Sequence, residues 1–396
     1  MSNHALPLPL PLPLPLPLRQ SRQTAPFASL DADLADLGRR DRLRRLIRQR
    51  GVDFSSNDYL GMAASPRLRQ AVADAVARGV PIGSGGSRLL RGNHPEHEAL
   101  EAEAAAWFGS ETTLFFSTGY AANAALFATL PQKSDLIVHD DLIHASAHER
   151  FRLSRATSVS AGHNDPARID DAIARWRSGG ATGQAWIAVE SLYSMDGDCA
   201  PIDELAAVAE RHDAILVIDE AHATGVFGEG GRGLAAHLEG QPNVITLRTC
   251  GKALGCEGAL VCAPRIVRDF LVNRARGFIF STAPSPLTAA AVRASLRIAA
   301  EEPARRAQLA ARVAETRRLL EPLGVAPSGS QIQPLIIGDD ARTMAIADAL
   351  QDRGFDIRGI RPPTVPQGTS RLRISLTLNA STEDVAALAA TLEELL

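Results

Sequence analysis

The hydrophobic and polar positions of the chain follow two different periods from about residue 98 onward. Short runs of apolar, often β-branched residues alternate with longer stretches in which apolar residues recur at helical spacing. Runs of the first kind are typical of buried strands, and stretches of the second kind are typical of amphipathic helices. Their alternation predicts an α/β fold with a mostly parallel sheet wrapped by helices.

The strand over residues 214–218 consists entirely of apolar residues and ends abruptly in polar ones. This is expected of a strand that is buried on both faces and whose carboxyl end opens on a crevice, where ligands bind in open α/β sheets. The other predicted strands of this part cover residues 112–116, 135–138, 185–189 and a run that begins at 244. The predicted helices between them cover residues 121–129, 167–177 and 202–211.

A different pattern begins after residues 284–286, where two prolines flank a serine. A long helix is predicted over 287–300, followed by strands over 331–337 and 371–376 and a helix over 342–353. The mixture of short strands and helices is typical of a separate α+β unit.

The last helix is predicted from a capping box formed by Ser381 and Asp384, which precede apolar residues at helical spacing. Together, these patterns predict a large domain over residues 56–295 and a smaller C-terminal α+β domain over residues 296–396.

Two segments of unusual composition precede the large domain. Leucine and proline alternate from Leu6 to Leu18. Because proline removes the donors that a helix needs, residues 1–28 are expected to form a disordered tail. Residues 30–50 are rich in arginine and carry leucines at helical spacing, which predicts an amphipathic helix within an N-terminal helical arm over residues 29–55. Its arginines are expected to form a solvated face, unless one of them reaches an anionic substrate.

Composition narrows the class of protein without identifying it. The chain has 396 residues, of which 45% are hydrophobic, so it can bury a sizeable core. A net charge of −3 gives no electrostatic reason to expect nucleic acid or an anionic membrane as a partner. No run approaches the ~18 apolar residues that span a membrane. The four cysteines form no CxxC pair, so reduced thiols and a cytoplasmic location are expected.

Lysine usage singles out one residue. The chain contains 42 lysines and arginines, and only Lys133 and Lys252 are lysines. An amine can lose its proton when it is desolvated and can form an imine with a carbonyl, whereas a guanidinium cannot. Lys252 follows a predicted strand across a glycine turn, which makes it a Schiff-base candidate. The alternative is a leftover surface lysine.

Polar residues after the neighbouring strand support the same chemistry. Asp219 and His222 follow the strand over 214–218. Taken singly, Asp219 could organise a loop and His222 could be a core histidine. A carboxylate that pairs with a pyridinium nitrogen and an imidazole that bonds a phenolate oxygen are the groups that tune a pyridoxal cofactor. Together with Lys252, they predict pyridoxal 5'-phosphate.

Two glycine-containing turns are candidates for phosphate binding. Gly119 and Tyr120 lie between a predicted strand and a predicted helix, so their N–H groups are expected at a positive dipole end. The segment 83–88 is richer in glycine, but it lacks the Gly-Lys-Ser/Thr ending of a P-loop and no strand precedes it. Close backbone approach at an interface is an equally good interpretation of that segment.

Paired histidines raise the question of a metal. His94 and His97, or His144 and His148, have a spacing that could bind one, but no carboxylate framework or cysteine cluster accompanies them. No metal is therefore expected, and a neutral His144 against a flat aromatic ring is the better interpretation.

Five segments of the chain carry a family resemblance. They cover residues 191–202, 219–225, 230–233, 249–252 and 280–282. In combination they resemble the α-oxoamine synthases, which are fold type I pyridoxal-phosphate enzymes that condense an amino acid with an acyl thioester and release CO2. The resemblance extends from about residue 30 to the end of the chain. It implies a PLP-dependent transferase that works as a homodimer with shared active sites.

Within that family, residues 57–61, 360–366 and 371–373 are most similar to the member that condenses L-alanine with a pimeloyl thioester in biotin biosynthesis. The resemblance leaves open whether the acyl donor is pimeloyl-CoA or pimeloyl-acyl carrier protein. Glycine or serine with another acyl-CoA is an alternative, as is a pyridoxal-binding protein without catalytic activity.

The resemblance implies a role at the cofactor for each matching residue. Lys252 would form the Schiff base and remove the α-proton, and Asp219 would pair with the ring nitrogen. His222 and Ser194 would contact the phenolate oxygen, and His144 would stack on the ring. The residues implied at the phosphate are Gly119, Tyr120, Thr249 and, contributed by the partner subunit, Thr282.

The same resemblance implies a substrate site. Asn57 and Arg373 would orient the amino-acid carboxylate, Arg373 as a bidentate fork. The residues implied on the side of the acyl substrate are Arg44, Arg361 and Thr364. The short connection between the basic segment and Phe54 departs from the family pattern, and Arg44, just after Leu43, is the best placement for the matching N-terminal arginine.

Overall fold

The structure is a computed structural model that describes residues 26–396. The leucine-proline tract lies outside the described residues. Residues up to Arg45 and residues Leu46–Leu396 form two compact units. The boundaries predicted at residues 56 and 296 lie inside the second unit and stay predictions.

In the N-terminal unit, the helix found among residues 26–45 is α1, which covers Ala28–Arg39. The prediction of a single helix over 30–50 is wrong beyond Arg39, and the predicted tail is wrong at Ala28, where α1 begins. The backbone N–H of Arg40 still bonds to Asp36, but Asp41 takes a left-handed φ of 53° and the helix cannot continue.

The strands of residues 46–396 are β1 Val52–Asp53, β2 Thr112–Phe116, β3 Leu136–Asp140, β4 Thr157–Ala161, β5 Ala185–Glu190, β6 Ile215–Asp219, β7 Val244–Thr249, β8 Ala259–Ala263, β9 Ile332–Gly338, β10 Phe355–Asp356, β11 Gly359–Ile360 and β12 Ser370–Ser375. The helices are α2 Pro66–Ala77, α3 Pro95–Phe108, α4 Gly119–Thr129, α5 Ala145–Phe151, α6 Pro166–Ser178, α7 Ile202–Arg211, α8 Arg265–Arg274, α9 Arg276–Ile279, α10 Pro286–Glu301, α11 Pro303–Leu320, α12 Asp340–Asp352 and α13 Thr382–Leu395.

A seven-stranded sheet forms the centre of this unit, in the order β2-β8-β7-β6-β5-β3-β4. All neighbours are parallel except that β8 runs antiparallel to both β2 and β7. The mostly parallel sheet predicted from the pattern is confirmed, and helices cover its buried strands. The sequence pattern missed β4, which is exposed along most of its length, and β8, which is short and contains alanine and cysteine.

A second, three-stranded antiparallel sheet, β11-β12-β9, lies in the C-terminal part of the chain. The predicted capping box of α13 is confirmed, because the Asp384 N–H donates to Ser381 Oγ at 3.1 Å and the Ser381 N–H donates to Asp384 Oδ2 at 2.7 Å. The loop after β1 packs against this sheet: the Ser375 N–H donates to the Phe54 carbonyl at 2.9 Å, and the Leu378 N–H donates to the Tyr59 carbonyl at 3.0 Å. This docking fixes where the side chains of residues 54–60 point.

Candidate active site

The carboxyl ends of β5, β6 and β7 lie side by side at one edge of the central sheet. Glu190 and Asp219 are register partners at the ends of β5 and β6. Asp219 Oδ2 accepts a hydrogen bond from Asn123 Nδ2 at 3.0 Å, and its Oδ1 accepts from the Ala221 N–H at 3.0 Å. The carboxylate of Asp219 is therefore held in one orientation.

His222 and Lys252 meet at this edge, as the sequence predicts. The Nε2 atom of His222 lies 2.6 Å from Lys252 Nζ, and its Nδ1 atom lies 2.6 Å from the hydroxyl of Tyr59. His222 is buried, and Gln331 Nε2 donates to its backbone carbonyl at 2.9 Å. The imidazole is thus held at both of its nitrogens, and the backbone of His222 is held at its carbonyl.

The surroundings of Lys252 change its acidity. Burial lowers the pKa of Lys252 to about 8, although the carboxylates of Asp219 and Glu190 oppose the shift. About one tenth of the amine is therefore uncharged at pH 7, whereas an unperturbed lysine would be almost wholly protonated. A lysine of this kind can act as a nucleophile and as a base near neutral pH.

The site shifts the pKa values of two further groups beside Lys252 toward their uncharged forms. Burial, followed by the nearby charges of Lys252 and Arg373, lowers the pKa of His222 well below its ordinary value. Burial and the neighbouring Asp219 raise the pKa of Glu190 well above its ordinary value. The site therefore concentrates its negative charge on Asp219, the carboxylate expected to face a pyridinium nitrogen.

The turn at the start of α4 provides a possible phosphate cradle. Thr118 caps the helix, since its side chain accepts from the Ala121 N–H at 3.0 Å. The first N–H groups of a helix have no intrahelical partner, which leaves those of Gly119 and Tyr120 available. Gly119 lies close to the hydroxyl of Thr249, since a Cβ built on Gly119 would be 3.8 Å from Thr249 Oγ1. The backbone donors and this hydroxyl are therefore near one another. Together with Lys252, His222 and Asp219, this donor set fits a phosphorylated pyridine aldehyde.

The side chain of Tyr120 takes part in a different set of contacts. Its hydroxyl donates to the carboxylate of Glu149, and the guanidinium carbon of Arg150 lies 4.7 Å from the ring centroid. Only the backbone N–H of Tyr120 is therefore a candidate for the phosphate.

Arg373 and Asn57 are brought together beside His222. Arg373 Nη2 donates to Asn57 Oδ1 at 3.0 Å and to the Tyr59 hydroxyl oxygen at 3.3 Å. Its Nε donates to the Ser194 carbonyl at 2.6 Å, which leaves the guanidinium fixed by protein atoms on two edges. A substrate carboxylate would replace the bonds of Nη2 rather than meet a free fork.

A cleft of about 570 Å³ opens next to these residues, and His144, Ser194 and Thr364 line it. His144 caps α5, and its Nδ1 lies 2.8 Å from Ser146 Oγ. Desolvation lowers the pKa of His144, while Asp219 opposes the shift and Lys252 adds to it. A neutral imidazole at the cleft matches the sequence interpretation of His144.

Three more predicted site residues are located by their elements and by their exposure. Arg361 follows β11 and is half-buried, and its carbonyl accepts from the Thr364 N–H at 3.0 Å. Thr282 is exposed in the loop between α9 and α10. Arg44 belongs to the N-terminal unit and is exposed there. The roles of all three stay predictions.

The sequence interpretation missed three buried residues that organise the site. They are Tyr59, Asn123 and Glu190. Glu190 carried a usable signal, because it ends an apolar strand just as Asp219 does. Tyr59 and Asn123 lie inside segments that the motifs include, but their partners are distant in the chain and local spacing does not reveal them.

The alternative sites found in the sequence have structural roles. In the glycine-rich segment, the Gly86 carbonyl accepts from the Ala283 N–H at 2.9 Å, which is a close backbone approach within the chain. His94 and His97 form the capping box of α3. Among residues 26–396, no group of three or more His, Cys, Asp and Glu side chains is arranged to hold a metal ion. Within the same residues, no helix is long and apolar enough to cross a membrane.

Comparisons with known proteins agree with this geometry. The family model for aminotransferase class I and II matches residues 49–392. The chain is 46% identical over 351 residues to 8-amino-7-oxononanoate synthase from Anaeromyxobacter dehalogenans, and the match covers 87% of each chain. Among solved structures, a serine palmitoyltransferase from Sphingomonas wittichii is 28% identical with a TM-score of 0.85, covering 95% of this chain and 98% of that one. The 8-amino-7-oxononanoate synthase from Francisella tularensis is 25% identical with a TM-score of 0.74, covering 87% and 97%.

The fold type I architecture and the pyridoxal-phosphate cofactor predicted from the sequence are confirmed by these matches. The chain belongs to the α-oxoamine synthase family of pyridoxal-phosphate enzymes.

Proposed function

We propose that this enzyme condenses L-alanine with a pimeloyl thioester and produces 8-amino-7-oxononanoate, CO2 and the free carrier, a step of biotin biosynthesis. The observation that carries the proposal is the joining of two groups in one network. Lys252, with its lowered pKa of about 8, contacts His222, and His222 is linked through Tyr59 to Asn57 and Arg373. An amine nucleophile thus stands beside a carboxylate-binding arginine, as decarboxylative chemistry on an amino acid requires.

Pyridoxal phosphate, when bound, supplies an electron sink for negative charge that develops at the amino-acid α-carbon. Lys252 holds the cofactor covalently and, as an uncharged amine, accepts the α-proton. Asp219 keeps a positive charge on the ring nitrogen, and His222 and Ser194 bond the ring oxygen. The phosphate is held by the N–H groups of Gly119 and Tyr120 and by Thr249, with Thr282 of the partner subunit completing the cradle.

The substrates occupy the two sides of the site. Arg373 and Asn57 orient the alanine carboxylate, and the charge-assisted bonds favour an α-amino acid over a simple amine. His144 covers the face of the ring on the side of the cleft. Arg44, Arg361 and Thr364 act toward the acyl chain and its carrier, which is coenzyme A or an acyl carrier protein.

An assay of product mass tests this proposal. The holoenzyme is incubated with alanine, glycine or serine, each paired with pimeloyl-CoA, pimeloyl-acyl carrier protein or palmitoyl-CoA. We expect 8-amino-7-oxononanoate from alanine and a pimeloyl donor as the dominant product. A dominant product from serine and palmitoyl-CoA would assign the chain to another member of the family. Cofactor uptake without any product would identify a non-catalytic binding protein.

We also propose that the enzyme is a cytoplasmic homodimer with shared active sites. Under subunit exchange, a Lys252→Ala chain mixed with a Thr282→Ala chain should regain activity, because one of the two sites in each heterodimer is then intact. Mixing two Lys252→Ala chains is the matched control and should regain none. Confirmed heterodimers without recovered activity would contradict shared sites.

A further inference from the structure

Tyr59 occupies the centre of the hydrogen-bond network between Lys252 and Arg373. Its side chain is completely buried. The hydroxyl oxygen lies 2.6 Å from His222 Nδ1, 2.9 Å from Asn57 Oδ1 and 3.3 Å from Arg373 Nη2. The hydroxyl therefore touches both the residue that contacts Lys252 and the residues proposed to bind the substrate carboxylate.

The direction of these hydrogen bonds follows from counting donors and acceptors. A phenol oxygen accepts two hydrogen bonds and donates one. Arg373 Nη2 donates to the Tyr59 oxygen, which fills one of its two acceptor positions. The single proton of Tyr59 goes to one of the two remaining neighbours, Asn57 Oδ1 or His222 Nδ1.

Two acceptors compete for the proton of Tyr59. Asn57 Oδ1 is 2.9 Å away and already accepts from Arg373 Nη2 at 3.0 Å. His222 Nδ1 is closer, at 2.6 Å. The shorter contact to the stronger base takes the proton, so Nδ1 is an acceptor and the neutral imidazole carries its own proton on Nε2.

The protonated Nε2 faces the amine of Lys252. Because Nε2–H can only donate, the amine 2.6 Å away must accept, and only the uncharged form of an amine has a lone pair for this. We propose that Tyr59 is a positioning residue that keeps the proton of His222 on Nε2 and thereby favours the uncharged, nucleophilic amine of Lys252. The inference deepens the proposed role of Lys252 and rests on it.

Other charged groups also face the amine, and they act in both directions. Asp219 and Glu190 favour the protonated amine, and Arg373 disfavours it. His144 is within electrostatic reach as well. Tyr59 is uncharged, so its contribution comes from orienting His222. Its removal should leave these charge effects in place.

Tyr59→Phe tests the inference because it removes the hydroxyl and keeps the buried ring. Without that donor, the proton of His222 is free to move to Nδ1, and Nε2 becomes an acceptor for a protonated lysine. We expect the acid dissociation constant of Lys252 to fall at least about tenfold, which is one pKa unit. A purely structural role for Tyr59 would lower stability without raising this pKa.

The two lysines of the chain make the measurement direct. Full-length protein labelled with [ε-15N]lysine, freed of cofactor, gives two amine signals, and their pH titration reports each pKa. Lys133 is exposed in a turn and serves as the internal reference, whose titration should be the same in every variant. Full return of cofactor absorbance on refilling shows that each sample is intact.

Tyr193→Phe is the matched control, because Tyr193 is also buried and its ring packs edge-on against His163, at 4.5 Å between centroids. It should leave the titration of Lys252 unchanged. In a His222→Gln background, Tyr59→Phe should add nothing further, since Tyr59 acts through His222. An unchanged Lys252 titration in Tyr59→Phe, or an equal shift in both backgrounds, would overturn the inference.

A measurement on the unaltered protein guards against variants that do not fold. The 15N signals of His222, assigned by their loss in His222→Gln, should show the proton on Nε2 at a pH about one unit above the pKa of Lys252, where the amine is uncharged. A proton on Nδ1 would overturn the inference. Because neither experiment uses substrate, a failure of the proposed reaction would appear separately, as the wrong product or as cofactor attached away from Lys252.

Discussion

Two cations lie four residues apart at the end of β7, and their surroundings differ. Arg248 on the back of the strand is completely buried, 2.7 Å from the carboxylate of Glu239, and its guanidinium carbon lies 4.1 Å from the ring centroid of Phe108. Lys252 on the other side faces the neutral imidazole of His222 at 2.6 Å. One cation has a dedicated counter-ion, and the other has a neutral partner.

Their acidities diverge accordingly. Burial alone would lower the pKa of either group, but Glu220 and Glu239 reverse the effect and raise the pKa of Arg248. Burial prevails at Lys252 and lowers its pKa to about 8. The partner, and not burial itself, therefore decides whether such a cation stabilises the fold or takes part in chemistry.

Asp219, the last residue of β6, belongs to a front cluster with His222 and Lys252. Glu220, which follows the strand, belongs to a back cluster with Arg248 and Glu239. Asp219 faces the active site, whereas the carboxylate of Glu220 accepts from the N–H groups of Leu234 at 3.0 Å and Ala235 at 2.6 Å. Because successive side chains of an extended backbone point to opposite faces, the end of β6 contributes one carboxylate to the active site and the next one to the buried cluster behind the sheet.

The largest expected effect is on activity, at the front cluster. Lys252→Met should reduce product formation at least about ten-thousandfold, because the variant has no amine to hold the cofactor or to accept the α-proton. Its free energy of unfolding, measured in urea, should be equal to or above that of the wild type, since a desolvated amine has been removed. Lys133→Met is the control and should keep full activity. Retained activity in Lys252→Met would remove the proposed role.

Arg248→Met should lower stability and leave the attachment of the cofactor intact. The substitution leaves the buried carboxylates of Glu239 and Glu220 without their cation, and we expect it to lower the free energy of unfolding by about 3–5 kcal/mol. The part of the sample that stays folded should still attach cofactor. Arg232→Met, which breaks a contact with the exposed Glu229, should cost no more than about 1 kcal/mol. Similar losses of unfolding free energy in both variants would mean that the back cluster does not stabilise the fold.

Gly233 tests how tightly the back cluster is packed. A Cβ at this position would collide with the carboxylate of Glu220 and the guanidinium of Arg248, and the residue has a φ of +101°. We expect Gly233→Ala to lower the free energy of unfolding by about 2–4 kcal/mol. Gly230→Ala separates the two causes, because Gly230 also has a positive φ but no atom within 4 Å of an added Cβ. A loss in Gly230→Ala as large as that in Gly233→Ala would assign the cost to the backbone alone.

Arg373→Lys tests the proposed role of Arg373 in binding the substrate carboxylate. Lysine keeps the charge but loses the planar donors, so alanine binding should weaken roughly tenfold or more, on about 1.5–3 kcal/mol for a hydrogen bond to a charged group. Titration of the cofactor absorbance with L-alanine measures this without an acyl donor. Arg353→Lys, in an exposed pair with Glu394, is the control. An unchanged titration in Arg373→Lys would shift the role to Arg361.

The pH dependence of cofactor uptake is a smaller effect of the same cluster. Because the pKa of Lys252 is lowered to about 8, the uncharged amine increases as pH rises through that value. The rate of uptake by cofactor-free protein should therefore rise about tenfold from pH 7 to pH 9 and then level off. A rate that continues to rise in proportion to hydroxide up to pH 10 would indicate an unperturbed lysine.

Local pattern predicted much of the fold and the front cluster. The bounds of β2 and α7 agree with the pattern at both ends, because each is an uninterrupted apolar or amphipathic segment with clear breaks. Asp219, His222 and Lys252 were predictable for a related reason: parallel strands bring residues at their carboxyl ends to one edge.

The remaining features depend on contacts that spacing does not encode. Tyr59 reaches His222 across 163 positions only because its loop docks on β12. The back cluster joins residues of three separate segments, and a buried arginine looks like any other arginine in the sequence. The end of α1 at Arg39 was missed because leucine spacing continues after the backbone has turned.

We propose that Lys252, and not Lys133, is the reactive amine of this chain. Borohydride reduction of the holoenzyme, followed by digestion and mass spectrometry of the peptides, shows which lysine carries the cofactor. We expect a pyridoxal-phosphate mass on the peptide that contains Lys252 and an unmodified Lys133 peptide. Modification of Lys133 in its place, or of neither lysine, would show that Lys252 does not hold the cofactor.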